Sequence, residues 1–263
     1  MPARPAQRRA HKNAILNALS GSEYAHLKPH LETIALDSKQ NLYNSGDAIR
    51  HVYFPLDAVV CLFTTLEDGA TIESGIIGSE GVIGISAVLG VKNTPCQAQA
   101  VAPRKAVRIR ADYLKREFDE GGRLRELLLR YFHALYVQIT QTAACNRHHN
   151  MEGRLCRWLL MMHDRTASND LQVTQEFISE MLGTRRPYVT TAAGVLQKQK
   201  IIECRRGRIR IRDRAALEDS CCECYRIIRE EFGFLDERVR ADRAFRSDSV
   251  RRRSAGRPIA AKT

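Results

Sequence analysis

The sequence lacks any long uninterrupted apolar run. The longest candidate among its 263 residues, 81–91, is short and contains glycines, whereas a helix that crosses a bilayer needs about 18–20 apolar residues. The first 14 residues are basic but lack the apolar core of a secretory signal. We therefore expect a cytoplasmic protein with no membrane partner.

The sequence also lacks the residue patterns of a zinc ribbon, a disulfide-stabilised domain and an enzyme active site. The eight cysteines, at positions 61, 96, 145, 156, 204, 221, 222 and 224, do not form the two CxxC motifs of a zinc ribbon. A disulfide framework is not expected in a cytoplasmic chain of this size. The carboxylates at positions 67, 68, 73 and 80 have no His, Ser or Cys pairing that suggests a nucleophile with its base. We predict no catalytic residue and therefore no enzyme.

Acidic residues are outnumbered by basic ones. There are 30 Asp and Glu against 42 Lys and Arg, which gives a net charge of +12 and favours a polyanionic partner. Within residues 185–212, nine basic residues accompany one acid, and within 238–263 nine accompany two. The excess positive charge is therefore concentrated in two segments.

The segment 173–212 carries the most informative pattern. Thr174 is a suitable N-cap, and apolar residues follow it at helical spacing. Gly183 suits a tight turn, and Pro187 suits the first turn of a second helix. Short β-like runs at 201–202 and 209–212 flank Arg206-Gly207. The segment predicts a winged helix-turn-helix that lies on a phosphate backbone. The alternative, a small helical domain with a solvated basic face, explains this agreement of cap, turn and charge less well.

The amino-terminal half has a different pattern. Short β-like runs at 52–54, 59–65, 71–77 and 101–109 are separated by turn-forming residues, as at 44–47 and 67–69. Strands at this spacing predict a small antiparallel barrel or roll.

A long helix is predicted between these two regions. Steps of four and three residues from its start give a seam that is apolar first and polar later: Leu124, Leu128, Tyr131, Leu135, Gln138, Thr142, Cys145 and His149. Such a stripe is typical of a dimerisation seam. An ordinary amphipathic helix packed on its own domain is the alternative. Asn150 then caps a new helix, predicted over 151–163, so we expect a domain boundary near 150.

Cysteine and histidine also occur at short spacings. Cys145 and His149 are four residues apart, which permits one edge of a metal site. A packed interface with a polar stripe is the interpretation we favour, so no metal is predicted. Cys221, Cys222 and Cys224 allow a thiol sensor or a soft-metal site, although small buried thiols are more common.

The order of β-roll, long helix and winged helix-turn-helix resembles bacterial regulators of the cyclic-AMP receptor protein and fumarate–nitrate regulator (Crp/Fnr) superfamily. The resemblance rests on VYFPLDAVVCLFTTLEDGATIESGIIGSEGVIG, MEGRLCRWLLMMHDR and VTQEFISEMLGTRRPYVT. It implies an α+β fold with a cyclic-nucleotide-binding-like roll. The expected divisions are a basic arm (1–20), the β-roll sensor domain (21–123), the dimerisation helix (124–150), the winged helix-turn-helix (151–214), and a carboxyl-terminal helix with a basic tail (215–263).

The same resemblance implies a DNA interface. Thr174 corresponds to a phosphate contact and Arg186 to a base-reading arginine, whose guanidinium suits guanine O6 and N7. Pro187 stands where the family has a reading glutamate, and Thr191 where a second arginine is frequent. The full predicted set is Thr174, Gln175, Arg185, Arg186, Tyr188, Thr190, Thr191, Lys198, Arg206 and Arg208.

The resemblance is weaker at the effector site. The family's cassette has Gly-Glu, then several apolar residues, then Pro-Arg and a hydroxyl. Its glutamate takes the ribose hydroxyl of the nucleotide, and its arginine takes the cyclic phosphate. Here Glu80-Gly81 lies in the first position, but Pro95 is followed by Cys96 and Gln97. A thiol cannot pair with a cyclic phosphate, so cyclic AMP is not expected to bind. The first cysteine is Cys61, so an amino-terminal iron–sulfur cluster is not expected either. No cofactor is predicted.

The preferred interpretation is a dimeric transcription factor that reads a near-palindromic operator. Its partners would be double-stranded DNA, a second copy of the chain and, by resemblance, RNA polymerase; an unknown small-molecule effector is left open. A ligand-binding module whose output is protein contact is the alternative, and a salt-dependent DNA affinity would separate the two.

Overall fold

The computed structural model describes residues 12–102 and 104–235. The basic tail predicted from 238 onward and the first eleven residues of the predicted arm lie outside these ranges. The helices within them are α1 (Ala14–Asn17), α2 (Gly21–Leu27), α3 (Ile85–Val88), α4 (Ala111–Glu120), α5 (Gly122–His148), α6 (Met151–Thr166), α7 (Gln175–Met181), α8 (Arg186–Lys198), α9 (Arg214–Asp219) and α10 (Glu223–Phe232). The strands are β1 (Glu32–Ala35), β2 (Asn41–Tyr43), β3 (His51–Pro55), β4 (Val59–Thr65), β5 (Thr71–Ile77), β6 (Gln97–Ala102), β7 (Lys105–Arg110), β8 (Asp170–Leu171), β9 (Ile202–Arg205) and β10 (Arg208–Ile211).

The amino-terminal strands form two antiparallel sheets, in the orders β1-β7-β3 and β2-β6-β4-β5. The predicted α+β class and the β-roll are therefore confirmed. The run predicted as one strand over 101–109 contains parts of two. Because β6 pairs with β2 and β4, whereas β7 pairs with β1 and β3, the chain crosses between the sheets at this point.

The roll begins earlier than the predicted boundary at residue 20. Asn13 caps α1 by accepting hydrogen bonds from Ile15 and Leu16, and its amide nitrogen donates to the carbonyl of Gly81 at 2.9 Å. Ile15 and Leu16 are buried in the core of the roll. Residues 13–20 of the predicted arm therefore belong to this domain.

The long helix was correctly located, but the predicted dimer seam is wrong. Leu124, Leu128, Tyr131 and Leu135 are buried within their own chain, against the roll. The phenol of Tyr131 donates to the carbonyl of Val82 at 2.7 Å. The polar part of the seam is buried too, including Gln138, Thr142 and Cys145. The alternative interpretation, an amphipathic helix packed on its own domain, holds for this face.

The opposite face of α5 carries the exposed apolar side chains. Leu129, Phe132, Tyr136 and Ile139 are 43%, 42%, 58% and 37% exposed. Their spacing of three, four and three residues is that of a coiled-coil seam. The sequence pattern missed this stripe because both faces of α5 are apolar, and the buried face is more continuous.

The carboxyl-terminal domain contains the expected helix-turn-helix and wing. Asn150 caps α6 by accepting from the amide of Gly153 at 2.9 Å. On the inward side of α6, Leu155, Trp158, Leu159 and Met162 are buried. A sheet in the order β8-β10-β9 forms the wing, so the two predicted wing strands are joined by a third, β8.

This domain packs directly on the roll. Trp158 and its neighbours on α6 share one apolar cluster with side chains of β4 and β5. Gly183, in the turn between α7 and α8, has a φ of +55°, and a Cβ there would lie 2.6 Å from Ile72 on β5. Both the backbone conformation and the close approach therefore favour glycine.

The single carboxyl-terminal helix predicted to begin at residue 215 is two helices, α9 and α10. The chain turns at Ser220–Cys222, and Cys222 has the extended backbone of an N-cap. Cysteine and serine at this turn therefore interrupt an otherwise amphipathic segment. No helix in the described ranges is long and apolar enough to cross a membrane.

Candidate nucleic-acid interface

Helices α7 and α8 form the helix-turn-helix, which we call the reader. Local hydrogen bonds and a shared apolar core fix these two helices relative to each other. The hydroxyl of Thr174 accepts from the amide of Phe177 at 3.0 Å, which confirms the predicted cap of α7. On α8, the buried side chains that face inward are Val189, Ala192, Ala193 and Leu196. Arg154 of α6 donates to the carbonyl of Leu182 and so supports the turn between the helices. The outward face of α8 is thereby held in one orientation.

The start of α8 projects from the surface. Arg185 is the N-cap, Arg186 begins the helix, and Tyr188 is 59% exposed. The Nε atom of Arg186 lies 3.8 Å from a carboxylate oxygen of Glu176, with both side chains more than half exposed. An exposed pair of this kind contributes little stability, so Arg186 can exchange it for another acceptor.

The threonines of α8 have local partners. Thr190 donates to Gln175 at 2.7 Å and so links α8 to the first residue of α7. Thr191 donates to the carbonyl of Pro187 at 3.0 Å, one turn earlier. The structure thus brings most of the predicted interface together, from Thr174 and Gln175 through Thr191, whereas Lys198 lies at the far end of α8.

The wing carries fewer free positive charges than its sequence suggests. Arg210 forms a bidentate pair with Asp170, at 2.7 and 2.5 Å. Arg208 lies 3.7 Å from the same carboxylate. Glu203 pairs with Arg205 at 2.5 Å and also with Arg212. Because Asp170 is fifteen residues before the basic segment begins, counting charges within 185–212 missed it. The pairs hold the carboxyl pKa values of Asp170 and Glu203 below their ordinary range.

An open groove separates the reader from the wing. Its walls include Thr174 and Gln175 at the start of α7, Arg186 on α8, and Arg206 and Arg208 in the wing. Arg206 and Gly207 form the wing turn, where Gly207 has a φ of +72°. The groove therefore has basic side chains on both sides, and the amino-terminal end of α7, with the carboxylate of Glu176, forms part of its lining.

A buried carboxyl joins α6 of the carboxyl-terminal domain to the roll, and the sequence pattern gave no sign of this role. Glu73 on β5 accepts from the indole nitrogen of Trp158 at 2.8 Å. Burial raises the pKa of Glu73 to about 7, although the nearby Arg157 guanidinium and the Trp158 hydrogen bond oppose the rise. Only the long-range packing of α6 on β5 reveals this pair.

The predicted effector residues have separate surroundings. Glu80 lies 2.8 Å from Nε of Arg165 on α6, and Arg165 also donates to Gln138 on α5 at 3.1 Å. Gly81 packs so closely that an added Cβ would lie 2.5 Å from the Tyr131 ring. The backbone amide of Cys96 donates to the hydroxyl of Thr94 in its own loop, and Gln97 begins β6 beside Phe63. Glu80 is thus engaged between domains rather than with Cys96.

Two family models match the regions just described. Residues 34–120 match the cyclic nucleotide-binding domain, and residues 153–220 match the Crp-like helix-turn-helix domain. The first range covers most of the β-roll, and the second covers the helix-turn-helix and its wing, so the two matched domains follow in the same order as in the structure. The chain belongs to the Crp/Fnr superfamily of DNA-binding transcriptional regulators.

Solved structures share the fold of this Crp/Fnr regulator. FixK2 from Bradyrhizobium japonicum is 15% identical, with a TM-score of 0.64, and the match covers 73% of this chain and 98% of that one. A putative crp/fnr-family transcriptional regulator from Eubacterium rectale is 16% identical, with a TM-score of 0.62 and coverage of 78% and 96%. The c-di-GMP-responsive regulator CLP of Xanthomonas campestris is 13% identical, with a TM-score of 0.62 and coverage of 73% and 99%. No curated protein matches the sequence.

Proposed function

We propose that this Crp/Fnr regulator is a homodimer that reads a near-palindromic operator with α8. The observation that carries the proposal is the exposed start of α8, where Arg186 and Tyr188 project beside a groove lined by basic residues of the wing. An α-helix presented in this way fits the major groove of DNA, and its amino-terminal residues meet the base edges.

In the proposed interface, some residues contact base edges and others contact the DNA backbone. Arg186 reads a base, because its guanidinium can donate two parallel hydrogen bonds to guanine and its present acidic partner is exposed. Thr174, Gln175, Arg185, Tyr188, Thr190 and Thr191 lie around it as further groove or backbone contacts. Lys198, Arg206 and Arg208 contact phosphates, which adds affinity without sequence preference.

The exposed stripe of α5 supports a symmetric dimer. Leu129, Phe132, Tyr136 and Ile139 together form an apolar seam that water surrounds in a single chain. Pairing two copies of α5 along this seam buries eight large side chains, which is the strongest driving force available on this helix. The two α8 helices of such a dimer would lie about 34 Å apart, one turn of DNA.

Cyclic AMP is not the proposed switch. Its phosphate needs a charged partner in an enclosed site, and the candidate residue there, Cys96, is a thiol. The candidate ribose contact, Glu80, already pairs with Arg165 across the domain boundary. A different small molecule in the roll is the proposed class of effector, and RNA polymerase is a proposed partner by family resemblance.

Selection of bound fragments from a random DNA pool tests the proposal. The full chain should enrich an inverted repeat whose half-sites are about 10 base pairs apart, centre to centre. The Arg186→Ala variant should enrich a motif degenerate at one symmetric position, whereas Lys198→Ala should keep the wild-type motif. Enrichment of no motif by the wild-type chain would refute the proposal.

A further inference from the structure

Four metal-ligating side chains from distant parts of the sequence converge where α5, α6 and α10 meet. Cys145, His149, Cys222 and Cys224 each offer one ligand atom, and these four atoms all lie within 4.8 Å of one another. We propose that they bind one Zn²⁺ ion per chain through three thiolates and one imidazole. Two pairs of residues that the sequence presents as separate thus become one site.

Two helix ends supply the ligands. Cys145 and His149 are one turn apart at the carboxyl end of α5, while Cys222 caps α10 and Cys224 lies in its first turn. The amino-terminal end of α10 and the carboxyl-terminal end of α5 meet at the site, so the partial charges of the two helix ends there have opposite signs. Because each pair is local, bringing the two helix ends together assembles the full set of four.

The distances fit tetrahedral coordination. In a tetrahedron with metal–sulfur bonds of about 2.3 Å and a metal–nitrogen bond of about 2.0–2.1 Å, sulfurs are about 3.8 Å apart and sulfur and nitrogen about 3.5 Å apart. The sulfurs of Cys145 and Cys222 are 3.6 Å apart, and the sulfur of Cys224 is 3.5 Å from Nδ1 of His149. The most separated pair, at up to 4.8 Å, needs to close by about 1 Å around the ion.

The imidazole is oriented as a metal ligand. Its Nδ1 faces the cysteine sulfurs, while its Nε2 lies 3.3 Å from a carboxylate oxygen of Glu223. Ligating histidines commonly donate their second ring N–H to a carboxylate, which fixes the tautomer and raises the basicity of the ligating nitrogen. Glu223 is therefore a positioning residue for His149.

The surroundings suit a Cys₃His zinc site. Cys145 and Cys224 are buried, whereas His149 and Cys222 are half-buried and leave a side open for metal entry. Zinc with three thiolates carries one net negative charge, and Arg157 on α6 supplies a buried positive charge beside this part of α5. Arg157 is held in place by its 3.0 Å hydrogen bond to Thr142, one turn before Cys145 on α5.

The ion would fasten α10 to the junction between α5 and α6. This junction joins the long helix to the carboxyl-terminal domain. Gly153, in the first turn of α6, packs against Cys222. The neighbouring Cys221 contacts the Gly153 carbonyl, as Cys222 also does, but its sulfur is outside the set of four ligand atoms. A disulfide between Cys145 and Cys222 is the competing use of these atoms, but it would leave His149 and Cys224 without a role.

Metal content of the full chain, purified under reducing conditions without chelator, tests the proposal. We expect about one zinc per chain by mass spectrometry of the elements. Replacing zinc with Co²⁺ should give the intense visible absorption of tetrahedral cobalt bound by thiolates. Cys224→Ser should lose the metal, whereas its matched control Cys221→Ser should keep it. Glu223→Gln should keep the ion but bind it about 10–100-fold more weakly.

Three outcomes would overturn the proposal. The first is a reduced wild-type chain that holds no stoichiometric zinc and gives no tetrahedral cobalt spectrum on titration with Co²⁺; this arm needs no variant to fold. The second is equal metal retention by Cys224→Ser and Cys221→Ser. The third is a metal-free protein in which peptide mapping finds Cys145 covalently linked to Cys222.

Discussion

The buried carboxyl of Glu73 should make the stability of the protein depend on pH, and this dependence tests how the carboxyl-terminal domain packs on the roll. Burial raises its pKa from 4.5 to about 7. Since the folded value lies above the unfolded one, the group's contribution to stability is fully present below about pH 4.5. That contribution is lost as the pH rises through about 7.

The magnitude follows from the two pKa values. A difference between 4.5 and about 7 corresponds to about 3 kcal/mol at most. Between pH 5 and pH 8 we expect the wild-type free energy of unfolding to fall by about 2–3 kcal/mol through Glu73 alone. Glu73→Gln removes the titration, while its amide oxygen can still accept from Trp158.

Urea unfolding at several pH values measures this effect. Trp158 is the only tryptophan in the chain, so its fluorescence reports directly on the Glu73 contact. The free energy of the variant should be flatter with pH than that of the wild type by about 2–3 kcal/mol. Glu67→Gln, in an exposed turn, is the matched control and should keep the wild-type slope. Parallel curves for the wild type and Glu73→Gln would refute the reasoning.

Three further predictions follow from the faces of α5, the start of α8 and the effector residues. Leu129→Glu combined with Tyr136→Glu should give folded monomers in sedimentation, because the charges would lie unpaired in the proposed seam. Leu128→Glu should instead unfold the roll, since Leu128 is fully buried; a folded, tight dimer for the first variant would contradict the seam. Arg186→Ala should lose about 1–3 kcal/mol of discrimination per half-site, whereas Lys198→Ala should weaken binding to all sequences alike. Equal losses on operator and random DNA for Arg186→Ala would argue against base reading. Titration calorimetry with cyclic AMP should detect no micromolar binding, since loss of a desolvated charge partner costs about 3–5 kcal/mol; micromolar affinity with a matching gain in operator affinity would show this prediction to be wrong.

The reader was predictable because its signals are local. The Thr174 cap, Gly183 in the turn and the inward-facing residues of α8 all fall within one segment, and each acts on neighbours a few residues away. Helix α4 was not predicted, since it lies between the strand signal of β7 and the longer pattern of α5. The paired glycines Gly121 and Gly122, with φ of +94° and +76°, separate the two helices.

What the sequence could not predict depends on contacts between distant residues. A helix with apolar side chains on two faces does not reveal which face its own domain covers, and so the predicted seam fell on the face of α5 that the roll covers. Asp170 neutralises part of the wing from outside the basic segment. Cys145 and Cys222 are 77 residues apart, and only the docking of α10 on α5 brings their sulfurs together.

The central claim is sequence-specific DNA binding by α8, and one competition experiment tests it most directly. Fluorescence anisotropy would compare the selected operator with a scrambled duplex of the same length and composition, at one fixed salt concentration. We expect the full chain to bind the operator at least about 10³-fold more tightly. Equal affinity for the two duplexes would contradict the account, because a basic surface alone cannot distinguish them.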